Sequence, residues 1–233
     1  MSGSELKVLS AGAVKRGVSR IAAEFERTTG TRVAVEFTTA PEVRNRVSAG
    51  EATDVIVAPR TVMDDVAQQG KIIADTRAFV GRSLMGIVVH ADAAPADLSV
   101  TAAFKNFLEG ATAVVYNRAS SGLYAAKLME KLGLAAALAG RTVVVDSGAA
   151  VMEYVAGHAP GAVGLAQISE VMVLVDKGCA IKLAAPLPDE IQNVTSYDAA
   201  ATASSATQGA ARALAHALTS SEAKKVFAAT GIS

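Results

Sequence analysis

Tryptophan is absent from the 233 residues, and aromatic side chains make up only 4% of them. So few rings argue against a stacking platform for bases or sugars. Cysteine occurs once, as Cys179, which excludes an internal disulfide and argues against a cysteine-built metal site. His90, His158 and His216 lie far apart without ligand spacing, so no metal is expected. Neither sign of charge dominates: 22 Lys and Arg balance 22 Asp and Glu. Nothing in that balance asks for nucleic acid or an acidic membrane surface. No hydrophobic run is long enough to span a bilayer. Residues 1–5 lack the basic stretch followed by an apolar one that a secretion leader needs. Two compartments stay open: the periplasm if a leader has been removed, otherwise the cytoplasm.

Catalytic vocabulary is thin as well. There is no G-x-x-x-x-G-K-[ST] phosphate loop, no G-x-G-x-x-G dinucleotide turn and no G-x-S-x-G nucleophile elbow. This favours binding over chemistry and leaves room for an enzyme that needs no cofactor.

What remains is a chain able to bury a sizeable core, 51% hydrophobic and 19% charged. Strand-like and helix-like runs alternate along it. Residues 6–10 read as a buried strand. Val14, Val18, Ile21, Ala22 and Phe25 then recur at helical spacing until Gly30. Val33, Val35 and Phe37 alternate as a strand, and Pro41 opens a helix with Val43 and Val47 inside. Further strands are expected over 54–58, 83–90, 112–116, 142–145, 161–166 and 180–184. Further helices are expected over 61–69, 101–108, 122–132 and 149–156, after a Ser169 cap, and over 207–229 with a break near Ser220. The alternation predicts an α/β fold with mostly parallel sheets and helices on both faces.

Four turns of small residues fall between a strand and a helix. They are Ser10-Ala11-Gly12-Ala13, Thr38-Thr39-Ala40-Pro41, Ala119-Ser120-Ser121-Gly122 and Ser147-Gly148-Ala149. Each places backbone N–H groups at the positive end of a helix, where small side chains let an anion approach.

The runs 8–14, 37–50 and 52–58, with Gly122-Leu123-Tyr124-Ala125, Lys131-Leu132-Gly133 and 164–170, resemble the periplasmic molybdate-binding proteins. These belong with the type II solute-binding proteins of ABC importers, and the likeness spans residues 6–231. The resemblance implies two lobes joined by a two-stranded hinge. Residues 1–81 with 192–233 would form one lobe and 82–191 the other, closing on a ligand in the cleft. It further implies a small anionic ligand, an ABC membrane subunit as partner, no cofactor, no nucleic acid and a monomer.

The binding positions implied by the resemblance are Gly12 and Ala13, Thr39 and Ala40, Ser120 and Ser121, Ser147 and Ala149, and Gln167. Several depart from the family. Ala13 and Ala40 stand where it has serines, and Gln167 where it has a tyrosine that hydrogen-bonds the oxyanion. Unmade hydrogen bonds discriminate strongly, so molybdate itself is put in doubt. Arg118, beside the third turn, suits a planar carboxylate, which a guanidinium grips with two parallel hydrogen bonds. Lys15 and Arg16 read as surface charges. A small organic acid is therefore favoured over an inorganic oxyanion. The alternative is a cofactor-free isomerase of a di- or tricarboxylate, similar to aconitate isomerases. For that reaction Glu42, Lys15 and Tyr116 are unranked candidates for the base.

Overall fold

The computed structural model describes residues 5–158 and 160–233. The leader reading of residues 1–4 lies outside the described residues. The chain folds as two compact units. One comprises the chain up to Ser83 together with Thr195–Ser233; the other is Leu84–Val194.

Unit one carries β1 (Leu6–Ala11), α1 (Lys15–Thr29), β2 (Val33–Thr38), α2 (Ala40–Ser48), β3 (Val55–Pro59), α3 (Arg60–Gln68) and β4 (Ala78–Ser83). Unit two carries β5 (Met85–His90), α4 (Thr101–Glu109), β6 (Ala113–Asn117), α5 (Ser120–Lys131), α6 (Ala135–Leu138), β7 (Thr142–Val145), α7 (Gly148–Gly157), β8 (Ala162–Gln167), α8 (Ile168–Asp176) and β9 (Ile181–Pro186). The chain then returns to unit one with β10 (Thr195–Ala201), α9 (Gln208–Thr219) and α10 (Ser221–Ala228).

The two sheets share one plan. In unit one the order is β2-β1-β3-β10-β4. β1 pairs in parallel with β2 and β3, whereas β10 runs antiparallel to both β3 and β4. Four strands therefore point one way and β10 opposes them. In unit two the order is β7-β6-β8-β5-β9. β6 is parallel to β7 and β8, and β5 opposes both β8 and β9. The mostly parallel α/β arrangement expected from the sequence is what forms.

Helices cover both faces because strand residues alternate their direction. In unit one Leu6, Val8, Val55 and Val57 meet Val18, Ile21, Phe25, Leu214 and Phe227 on one side. Leu9, Ile56 and Ala58 meet Val43, Val47, Met63 and Val66 on the other. In unit two Phe104, Leu108, Ala125 and Leu128 share one face with Val114 and Leu165. Val151, Met152, Val155 and Val171 take the opposite face with Val88 and Val115. α1 stops at Gly30, whose φ of 72° is the left-handed cap that glycine adopts without strain.

Three expectations need correction. The strand expected over 83–90 is two strands, β4 and β5, broken at Leu84, where the chain leaves unit one. β10 was not expected at all. Its Ala199, Ala200 and Ala201 have low strand propensity, yet each is fully buried between β3 and β4. The helix expected after a Ser169 cap begins earlier, at Ile168, with Gln167 at the N-cap; the Ser169 hydroxyl is buried and makes no hydrogen bond among the described residues.

Candidate anion-binding turns

The four small-residue turns all follow strands of the parallel set. β1 runs through Gly12 into α1, β2 through Thr39 into α2, β6 through Ala119 into α5, and β7 through Ser147 into α7. This places two turns at the carboxyl end of each unit's sheet, where the first amides of each helix have no intrahelical acceptor.

In unit one, Gly12 is exposed and opens the short 3-10 turn Gly12–Val14 that leads into α1. Ala13 is partly buried within that turn. Thr39 is the N-cap of α2, and its hydroxyl accepts from the Glu42 amide at 3.4 Å. Ala40 is the first helical residue, Pro41 follows, and Glu42 sits in the first turn where the helix dipole favours an acid. Lys15 lies over the Phe37 ring, 5.3 Å from its centroid, rather than standing free.

In unit two, the third turn is organised by Asn117, which is buried at the end of β6. Its Oδ1 accepts from the Ala119 amide at 2.9 Å and from the Gly122 amide at 3.3 Å. Its Nδ2 lies 3.2 Å from the Ser121 Oγ. The Ser121 hydroxyl is therefore spent inside the protein, as are the Ala119 and Gly122 amides of the same turn. Ser120 is exposed at the first position of α5. Ser147 caps α7, its hydroxyl accepting from the Ala150 amide at 3.1 Å. Ala149 is exposed in the first turn of α7. Gln167 is partly buried where β8 becomes α8. Arg118 is exposed and reaches Asp146 at 3.3 Å, with side-chain exposures of 70% and 87%. Such a pair in water holds the guanidinium only weakly.

Two further turns complete the set: the one after β8, where the sequence already marked Gln167, and the one after β3, which the sequence did not mark. β3 ends at Pro59-Arg60 and β8 at Gln167-Ile168, so each unit has three parallel strands ending in a helix start. The Pro59-Arg60 turn lacks the run of small residues that marks the other four. Arg60 is the first residue of α3; its guanidinium contacts Asp198 at 3.2 and 3.4 Å and lies 5.7 Å from the Phe79 ring centroid. Glu170 lies in the first turn of α8, with its carboxyl against Gly148. Burial pushes that carboxyl's pKa up. Of the three base candidates for an isomerase, Glu42 lies in unit one's second turn and Lys15 in α1. Tyr116 is partly buried on β6, where burial first, and the Glu130 charge second, raise its phenol.

Cavities inside the units lie elsewhere. One of about 420 Å³ is lined by Lys7, Glu36, Arg46, Glu51 and Thr53 and includes none of the candidate residues. Arg46 grips both Glu36 and Glu51, which holds the pKa of both carboxyls below the usual range.

Sheets with this strand order and strand-end turns define a two-unit solute-binding fold. Residues 6–233 match the family described as bacterial extracellular solute-binding protein, and the chain belongs to it. This agrees with the family resemblance in the sequence. A curated relative, aconitate isomerase from a Pseudomonas species, is 26% identical over 233 residues, spanning 97% of this chain and 87% of the relative. A substrate-binding domain assigned to a molybdenum ABC transporter of Clostridium difficile superposes with a TM-score of 0.79 at 18% identity, covering 97% of each chain. The periplasmic molybdate-binding protein of Azotobacter vinelandii gives 0.71 at 18% identity, covering 98% of each. At such identities the two structures speak for the fold alone. Among the described residues no helix is long and apolar enough to cross a membrane.

Proposed function

We propose that this solute-binding protein captures a small organic acid, a di- or tricarboxylate, with donors drawn from its strand-end turns. It delivers that ligand, as a monomer outside the cytoplasm, to the membrane subunit of an ABC-type importer. The observation that carries the reading is the set of helix starts at Gly12, Thr39, Ser120 and Ser147, each made of small residues at a strand end, where the helix dipole favours an anion. Ala13, Ala40, Ala149 and Gln167 provide neither the hydroxyls nor the phenol that an inorganic oxyanion site would use. Arg118 and Arg60 supply exposed guanidinium groups suited to carboxylates.

A thermal-shift screen tests the ligand class. It compares molybdate, tungstate, sulfate and phosphate with citrate, trans-aconitate and succinate. A carboxylate should raise the melting temperature in proportion to RT ln(1 + [L]/Kd), and the inorganic anions should do so less. A response to molybdate alone would overturn the carboxylate reading.

Arg118→Ala should weaken carboxylate binding by about tenfold, the worth of one charge-assisted hydrogen bond, and scarcely change tungstate binding. Titration calorimetry with both anions measures this. Equal losses for both would remove Arg118 from the carboxylate site.

The second reading is a cofactor-free carboxylate isomerase, favoured by the likeness to aconitate isomerase over 97% of the chain. Helix N-termini would stabilise the charge spread onto a carboxylate when a neighbouring C–H proton leaves. Proton–deuterium exchange of cis- or trans-aconitate in heavy water, followed by NMR, decides between capture and turnover.

A further inference from the structure

Gln192 uses every hydrogen-bonding position that its side chain has. Its Nε2 donates to the Met85 carbonyl at 3.1 Å and to the Leu187 carbonyl at 3.0 Å. Its Oε1 accepts from the Met85 amide at 2.8 Å and from the Asn193 amide at 2.9 Å. A side-chain amide offers two donors and two lone pairs, so all four positions are filled. Turned over, it would set its NH2 against two N–H groups, so one orientation alone fits.

The bonds to Met85 copy a strand. β9 ends at Pro186, and the Leu187 amide adds one more bond, to the Met85 carbonyl at 3.0 Å. Beyond it the Gln192 side chain takes both main-chain groups of Met85, as a residue on a neighbouring strand would. Met85 is the first residue of β5 and is fully buried. The side chain therefore fastens the point where the chain enters unit two to the segment by which it leaves. That segment is tied down twice more. The Tyr124 hydroxyl of α5 donates to the Ile191 carbonyl at 2.9 Å, and the Thr101 hydroxyl of α4 donates to the Glu190 carboxylate at 2.6 Å. α5 is the helix that starts at the third turn.

On the unit-one side the same two stretches pair again, with Ser83 of β4 opposite Thr195 of β10. Little chain is left between the fastenings. Leu84 is the single residue between β4 and β5. On the way back Asn193 is held by its amide. Val194 makes no backbone hydrogen bond among the described residues and is 48% exposed.

We propose that Gln192 is a positioning residue for anion capture: it clamps both crossings to unit two, so that movement of one unit against the other turns on the Leu84 and Val194 backbone. The effect on affinity rests on the capture reading above; the clamp does not. A few residues at element ends are enough to absorb such a movement. Without the clamp more of the chain can bend, and the conformer that captures the anion becomes a smaller share of the free population. Apparent affinity falls by that share.

The first test is hydrogen exchange of the free wild-type chain, followed by NMR. The Met85 and Asn193 amides should exchange more slowly than the Val194 amide by roughly tenfold or more. The second places spin labels at Ser19→Cys on α1 and Lys127→Cys on α5, both exposed, in a Cys179→Ser background. Pulsed electron paramagnetic resonance then reads the label-to-label distance distribution. Gln192→Leu removes all four bonds at similar volume. It should broaden the distribution of the free protein and weaken trans-aconitate binding by about tenfold, measured by calorimetry. Gln192→Glu keeps the oxygen that accepts. Ionised, it turns a second oxygen on the Met85 and Leu187 carbonyls; protonated, it can donate one bond back. Its distribution should therefore narrow toward that of wild type as pH falls.

Three results overturn the proposal. One is Met85 and Asn193 amides that exchange as fast as Val194. Another is a folded Gln192→Leu with the wild-type distribution, since a merely structural role would lower the melting temperature and leave the folded protein's distances alone. The third is a broadened distribution with unchanged affinity, which would separate the clamp from capture. The wild-type exchange measurement decides even if the variants misfold. Should no anion of the thermal-shift screen bind, the capture reading fails and takes the affinity effect with it, while exchange and distances still decide on the clamp.

Discussion

Gly122→Ala should lower the melting temperature by on the order of 10 °C, the largest loss expected from adding one methyl group to this chain. A Cβ on Gly122 would lie 1.5 Å from the Asn117 carbonyl oxygen, 2.5 Å from its carbonyl carbon and 2.9 Å from its Oδ1. Two of those atoms are backbone at the end of β6, and neither can swing aside. Relief requires α5 to draw back from the strand. That movement breaks the Asn117 bonds to the Ala119 and Gly122 amides and opens a buried polar network. Overpacking with loss of buried hydrogen bonds belongs to the severe class of substitution, around 4 kcal/mol. Chemical denaturation measures the stability, and binding at the third turn should vanish with it. A variant within about 1 kcal/mol of wild type would mean that α5 is not seated on β6 as described. Gly17→Ala makes a useful contrast. Its Cβ would meet the Phe227 ring at 2.2 Å, which is also severe, but the conflict lies in the core between α1 and α10, away from any anion turn.

Asn117 illustrates what the sequence made legible and what it did not. The third turn was visible because small residues follow an apolar run, and that local chemistry is enough to mark a helix start. The role of Asn117 is also local, an Asx-type arrangement within five residues, but an asparagine ending an apolar run carries no mark that separates this role from an ordinary turn residue. In the structure the Ser121 hydroxyl serves Asn117. The periodic signals of α1 and the strands of the parallel set were strong because each buries one clear face. β10 was hidden for the opposite reason. Its run of alanines carries no strand preference of its own, and only its place between β3 and β4 makes it a strand. Glu170 in sequence is indistinguishable from any first-turn acid. What sets it apart is contact with Gly148, twenty-two positions away and on another helix. Arg60 was lost in the same way. Its partner Asp198 is 138 residues along the chain, on the strand that the sequence did not reveal.

That cluster carries the second large effect. Asp198 is 3% exposed and accepts from Arg77 Nε at 2.9 Å, while Arg77 Nη2 lies 2.8 Å away. Arg60 reaches the same carboxylate at the longer distances of 3.2 and 3.4 Å. Arg77 is largely buried and is further held by Asp64 at 2.7 Å, whereas the Arg60 side chain is 53% exposed. Removing the buried carboxylate leaves Arg77 with the surface acid Asp64 and a long contact to the Arg60 carbonyl. Breaking a buried pair costs about 3–5 kcal/mol when both charges are fully enclosed. Arg77 keeps some solvent and one charged partner, so Asp198→Ala should cost roughly 2–3 kcal/mol. Arg77→Ala should cost about as much, because it leaves the buried Asp198 to a distant and half-solvated guanidinium. Arg60→Ala should cost less than about 1 kcal/mol, since solvent screens most of what it contributes. Denaturation of the three variants under one condition gives the ranking. An Arg60→Ala loss equal to that of Asp198→Ala would make Arg60 a structural member of the cluster. The expected ranking has a functional consequence. With Arg77 neutralising Asp198, Arg60 can turn to a carboxylate arriving at the end of β3 without leaving a buried charge behind. Arg60→Ala should therefore weaken trans-aconitate binding by about tenfold or more at nearly unchanged stability, and Arg60→Lys should restore little of it, because an ammonium cannot make the paired contact.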